Sequence, residues 1–108
     1  MVRLTIYRDP QGNWRGFQSK GHAGGGSDTV YDLVCAAISM HLQTIEYSLE
    51  KRIRIDQKDK RDGYLEICFQ PGGETEAIEE VFLNGVEILE KSYGQMFQVR
   101  NKEVESHV

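Results

Sequence analysis

Two side chains of this 108-residue sequence, Cys35 and His22, are equipped for nucleophilic chemistry once they are set side by side. A thiolate attacks a carbonyl carbon and an imidazole takes the thiol proton, which is the minimal pair for acyl transfer. His22 stands 13 positions before Cys35, and the first half of the gap is Ala23, Gly24, Gly25, Gly26, Ser27 and Asp28. Such a stretch is conformationally permissive, has little side chain to pack, and is expected to be mobile until a partner binds. The spacing predicts that Cys35 falls within the first two turns of a helix, where the positive end of the backbone dipoles favours a thiolate. Asp32 has two readings, as the group that orients the imidazole or as a helix cap. Oxyanion donors could come from backbone amides of the glycine stretch or of the helix start, and the sequence leaves both open.

Each of these residues also has a plain structural reading. Val34, Ala36 and Ala37 around Cys35 suit a buried thiol, and a histidine among glycines can simply be solvated at a turn. Cys68, beside Phe69 in a strand-like run, reads as structural, His41 as a core or interface histidine, and His107 as part of the tail. A zinc site lacks the short-range Cys-x-x-Cys or His-x-x-x-His pair that would start it, so no metal is expected. The glycines are not followed by Lys-Ser/Thr and form no GxGxxG, so no nucleotide or other cofactor is expected.

The elements that must position the pair follow from periodicity. Val2, Leu4 and Ile6 alternate with Arg3, Thr5 and Tyr7, which predicts a strand, and Asp9, Pro10, Gly12 and Asn13 supply a turn. Residues 14–20 read as the return strand, with Trp14, Gly16 and Gln18 on one face and Arg15, Phe17 and Ser19 on the other, delivering Gly21 and His22 to its end. From Thr29, apolar residues recur at spacings of three and four through Leu49, which predicts an amphipathic helix ending near Glu50. Residues 52–57 and 64–70 read as a second hairpin, with the polar run 58–62 and Gly63 between its strands. Residues 74–92 carry a second helical stripe ended by Gly94, and a short strand covers residues 96–101. The order is β-β-α-β-β-α-β. Two amphipathic helices on one face of a mainly antiparallel sheet make a two-layer α/β sandwich, a single domain over residues 1–101 with a charged tail at 102–108. A middle as apolar as residues 34–45 asks for more cover than one sheet gives, and a homodimer through a helix face is expected.

Composition narrows the function classes. With 13 Lys and Arg against 17 Asp and Glu, the net charge of −4 argues against nucleic acid as a direct partner. The longest uncharged run, residues 33–45, is far short of the roughly 20 apolar residues of a membrane span. Two cysteines and no secretory apolar region point to a reducing cytoplasm rather than to a disulfide-stapled exported scaffold. An acidic rim along the Glu-rich second helix could guide a basic protein.

The pieces Gly21-His22-Ala23-Gly24 and Asp32-Leu33-Val34-Cys35-Ala36-Ala37-Ile38-Ser39 closely resemble the bacterial ribosomal-processing cysteine protease family, over nearly the whole chain. The resemblance implies that His22 and Cys35 are the catalytic dyad, that residues Gly21, Ala23, Gly24, Gly25 and Gly26 belong to a substrate loop acting as a lid, and that the protein is a homodimer. By the same resemblance the substrate is the short N-terminal extension of a large-subunit ribosomal protein, removed after a paired-aromatic sequence. Ser39, one helical turn beyond Cys35, looks similar to the family's serine and could hydrogen-bond within the site or back to the helix. Tyr31 and Met40 are candidates for lining the peptide groove. Two non-enzymatic readings stand beside the peptidase: a ribosomal-protein-binding or ribosome-assembly module, and a structural dimer with a redox-passive cysteine.

Overall fold

The alternating first segment forms β1 (Val2–Arg8) and pairs antiparallel with β2 (Trp14–Lys20). Their turn is closed by the Asp9 carboxylate, which accepts the N–H groups of Gln11 and Asn13 at 3.0 and 2.9 Å. Helix α1 (Thr29–Glu50), strands β3 (Ile55–Arg61) and β4 (Tyr64–Phe69), helix α2 (Glu76–Tyr93) and strand β5 (Phe97–Glu103) complete the order β-β-α-β-β-α-β. The structure, a computed structural model, describes residues 1–22 and 29–105. The sheet order is β3-β4-β2-β1-β5, antiparallel except for the β1–β5 pair, and both helices cover one face. This is the two-layer sandwich that the periodicity predicts.

The core sits between the sheet and the helices. Leu4 and Ile6 of β1, Phe17 of β2, Ile67 and Phe69 of β4, Val34, Ile38, Leu42, Ile45 and Leu49 of α1 and Phe82 of α2 are all buried. Phe82 stacks on Trp14 at 4.9 Å and on Phe17 at 5.1 Å, and Trp14 sets its edge on Phe69 at 5.0 Å. The buried indole N–H is satisfied by the Gly16 carbonyl at 2.9 Å.

Three local expectations are corrected. Trp14 and Phe17 share the helix-facing side instead of opposing one another, because a bulge puts Trp14 opposite Arg8 while Gly16 pairs with Tyr7, leaving Arg15 as the extra residue. Gly16 adopts φ +142° there, and a Cβ would collide with the Ile67 carbonyl. The run 58–62 is a strand up to Arg61 and not a loop: Lys58 and Lys60 occupy the helix-facing register of this edge strand, opposite Ile67 and Leu65, and their ammonium groups reach α1. Finally, β5 continues through Lys102 and Glu103, which pair with Tyr7 and Arg8, so these two residues belong to the sheet. Among the described residues no helix is long and apolar enough to cross a membrane.

Candidate active site

Two chain segments converge at the far end of β2. Gly21 leaves the strand with φ +100°, its N–H donating to the Gly63 carbonyl at 2.8 Å, and a Cβ at this position would crowd the Met1 carbonyl. Only glycine suits this left-handed, closely approached corner, and the corner directs His22 over the sheet end. Cys35 arrives on α1 as the seventh residue of the helix that starts at Thr29. It therefore lies in the second turn, past the first turn in which the helix dipole is felt most.

His22, Cys35 and Ser39 line one cleft of about 400 Å³. Its floor is apolar, with Val2, Ile38, Leu42 and Leu65, and its remaining wall is the β3–β4 hairpin end, residues 60–64. The His22 side chain is half exposed, and its Nε2 lies 3.9 Å from Asp62 Oδ2. Ser39 Oγ accepts the Gln43 side-chain N–H at 2.6 Å, while Gln43 Oε1 and Glu46 Oε1 each accept from Lys60 Nζ at 3.1 Å.

Glu46 is a buried carboxylate, 2% exposed. Burial alone raises its pKa, but the hydrogen bonds from Lys58 and Lys60 prevail and hold it below the usual carboxylate range. The same contacts with Glu46 and Glu50 hold the Lys58 ammonium above the ordinary lysine range.

The other candidate positions fall away from the cleft or outside the described residues. Asp32 is exposed in the first turn of α1 and does not line the cleft. Met40 is 70% exposed and does not line the cleft either. Ala23, Gly24, Gly25 and Gly26 lie outside the described residues, as does His107. His41, expected to be a core or interface histidine, is half-buried between the helices: its Nε2–H donates to the Phe82 carbonyl at 2.9 Å, and its ring packs against Gly85. Cys35 and Cys68 are not joined in a disulfide. Cys68 is a half-buried thiol of β4 whose pKa burial pushes up to about 11. Among the described residues no three His, Cys, Asp or Glu side chains gather as metal ligands would.

The sequence reading missed Lys60, Arg61, Asp62, Gly63 and Tyr64 as parts of this site. The signal was present, since Asp-Gly is a strong hairpin dipeptide. It was obscured by placing the strand before residue 58.

The family model for cysteine protease Prp matches residues 1–98. The chain belongs to the cysteine protease Prp family. Among solved structures, SMU.848 from Streptococcus mutans is 24% identical with a TM-score of 0.74, covering 96% of each chain. The essential ribosomal processing protease Prp from S. aureus, solved with a covalently linked product peptide, is 21% identical with a TM-score of 0.76. That alignment covers 94% of this chain and 100% of the S. aureus chain. The S. aureus protease with a substrate peptide gives 20% identity and a TM-score of 0.77 at the same coverage. At these identities the structures establish a shared Prp fold. No curated protein matches the chain significantly.

Proposed function

We propose that this Prp-family chain is a cysteine endopeptidase that removes the short N-terminal extension of a large-subunit ribosomal protein, with Cys35 as nucleophile and His22 as base. The observation that carries the reading is the placement of His22 and Cys35, from separate elements, in the walls of one cleft with an apolar floor. The S. aureus relative, a ribosomal processing protease solved with substrate and product peptides, supports the same substrate class.

In the proposed reaction His22 takes the Cys35 proton and the sulfur attacks the scissile carbonyl carbon, giving a tetrahedral oxyanion. Backbone amides of the glycine segment or of the helix start stabilise that charge. Collapse breaks the C–N bond, the leaving amine takes the proton from His22, and a water activated by the same imidazole then hydrolyses the thioester. No cofactor takes part. Val2, Ile38, Leu42 and Leu65 offer an apolar side chain a place beside the reacting sulfur.

The decisive experiment incubates the protein and its Cys35→Ala variant with a peptide spanning the extension junction. Cleavage by the wild type only, with binding retained by the variant, is expected. Binding by both without cleavage would favour a noncatalytic ribosomal-protein-binding module and overturn the peptidase.

The active unit is proposed to be a homodimer in the cytoplasm, where its ribosomal substrate is made. Leu33, Met40 and Tyr47 are 65%, 70% and 64% exposed at seven-residue intervals along α1, and Val81 and Ile88 of α2 repeat the interval at 57% and 64%. Apolar side chains in register on a helix layer are the kind of surface a second copy covers. Sedimentation at low micromolar concentration is expected to give the dimer mass, and a monomer mass would exclude it.

A further inference from the structure

The imidazole of His22 rests on a turn that the reaction scheme does not use. A Cβ built on Gly63 would lie 2.6 Å from His22 Nε2, 3.1 Å from Cε1 and 3.2 Å from Cδ2. Those three atoms are one edge of the ring, so the ring presents its Nε2 edge to the Gly63 backbone, and any side chain there would push it away. The neighbouring Asp62 brings Oδ2 to 3.9 Å from the same nitrogen. The strap holding turn and histidine together is the Gly21 N–H to Gly63 carbonyl bond of 2.8 Å.

The turn is itself tied to the nucleophile's helix. Lys60, two residues before Asp62, donates to Glu46 and Gln43 of α1, and Gln43 donates to Ser39, one turn from Cys35. Arg61 lies over the Tyr64 ring at 4.1 Å, bracing the two sides of the hairpin end. A chain of contacts thus runs from the helix of Cys35 through β3 and the turn to His22, without passing through residues 23–28.

We propose that the Asp62–Gly63 turn is the positioning element for the base: it seats His22 with Nε2 toward the turn and leaves Nδ1 as the nitrogen that takes the Cys35 proton. This rests on the reading of His22 and Cys35 as the catalytic pair. A neutral imidazole carries one N–H and one lone pair, and a carboxylate beside one nitrogen favours the proton there. Asp62 therefore selects the Nε2–H tautomer, while Gly63, by lacking a Cβ, fixes where the ring stands. Asp62 is almost fully exposed and contributes the smaller part. Both act through His22.

The first test needs no substrate, so it is independent of whether the peptidase assay succeeds. Long-range 1H–15N spectra of the wild-type imidazoles, recorded about two pH units above the ordinary histidine range, should show His22 protonated on Nε2. A proton on Nδ1 would overturn the proposal. The second test is kinetic. Gly63→Ala should lower kcat by about tenfold or more while KM stays within about twofold. Gly12→Ala is the matched control, because Gly12 also has a left-handed φ, +86° against +69°, but nothing lies within 4 Å of its added Cβ. Equal kcat in the two variants refutes the seat. Asp62→Asn should cost about twofold to fivefold in kcat, the span of an exposed ion pair, and move the tautomer balance, with Asp62→Glu restoring most of both. Wild-type spectra and rates for Asp62→Asn remove the carboxylate from the proposal. If Gly63→Ala fails to fold, the wild-type spectrum and the Asp62 pair still decide.

Discussion

Replacing Glu46 by Gln removes one negative charge from the inner side of α1 and nearly nothing else, since the two side chains have almost the same shape. The carboxylate is 2% exposed, with Oε2 2.8 Å from Lys58 Nζ and Oε1 3.1 Å from Lys60 Nζ. A hydrogen bond to a charged partner contributes about 1.5–3 kcal/mol. The lysine ends, 39% and 44% exposed, regain part of that from water when their partner is lost. The net cost should be about 1–3 kcal/mol near neutral pH, and at about 4–8 °C per kcal/mol for a domain of this size it should lower Tm by at least about 4 °C. The sign of the pH dependence follows from the lowered carboxyl pKa of the folded state. That stabilisation is fully present above the unfolded glutamate range and is lost as pH falls through the lower folded value. Urea titrations of both proteins from pH 7 to pH 3 provide the measurement, because the other carboxylates cancel in the difference. The difference should be flat above about pH 5 and shrink below it. A difference that stays the same down to pH 3, or one under about 0.5 kcal/mol at pH 7, would refute the assignment of Glu46 as an ionised, paired group.

Other perturbations separate the remaining parts of the fold. Gly16→Ala sets a Cβ against the Ile67 carbonyl at φ +142°, and should destabilise by more than about 3 kcal/mol in urea unfolding; a cost near that of a surface substitution would contradict the bulge. Phe82→Ala deletes the ring that stacks on both Trp14 and Phe17, with an expected loss of about 3–5 kcal/mol and of the near-ultraviolet signal of Trp14. Cys68, with its thiol pushed up to about 11 by burial, should be alkylated by iodoacetamide at pH 7 at least about a hundredfold more slowly in the folded protein than in urea, read by mass spectrometry of its peptide. Comparable rates in the two conditions would show that β4 does not bury it.

The parts of this fold written in apolar periodicity were legible in the sequence, and those written in polar pairings were not. Helix α1 begins and ends where its three-and-four spacing predicts, because Val34, Ile38, Leu42, Ile45 and Leu49 are all buried by the sheet. His22 and Cys35 line one cleft, an arrangement that a strand end and an early helical position joined by a short segment allow. Strand β3 was displaced by several residues because its helix-facing positions hold Lys58 and Lys60, and a lysine that faces inward to meet a carboxylate looks like a lysine that faces water. The Arg15 bulge was missed for a related reason. Strict alternation assigns Trp14 and Phe17 to opposite faces, and only the tertiary demand that both meet Phe82 favours the extra residue.

That division also says how so small a domain separates stability from geometry. Strand β2 carries the two requirements at its two ends, Trp14 in the aromatic cluster and Gly21 leading to His22, about 20 Å apart along a strand. At the first end the stabilisation is apolar and non-directional, so it tolerates small displacements of the rings. At the second end the bonds from Lys60 to α1 and from Gly21 to Gly63 are directional, contribute modestly to stability, and fix distances within tenths of an ångström. An apolar edge strand could have held β3 on α1 more firmly, but it would have left the tip of the hairpin less well defined. The lysines exchange some of that adhesion for position. For this reason Phe82→Ala should lower stability far more than it alters the site in molecules that remain folded, whereas changes along the Glu46–Lys60–Gly63 line should reach His22 while much of the stability survives.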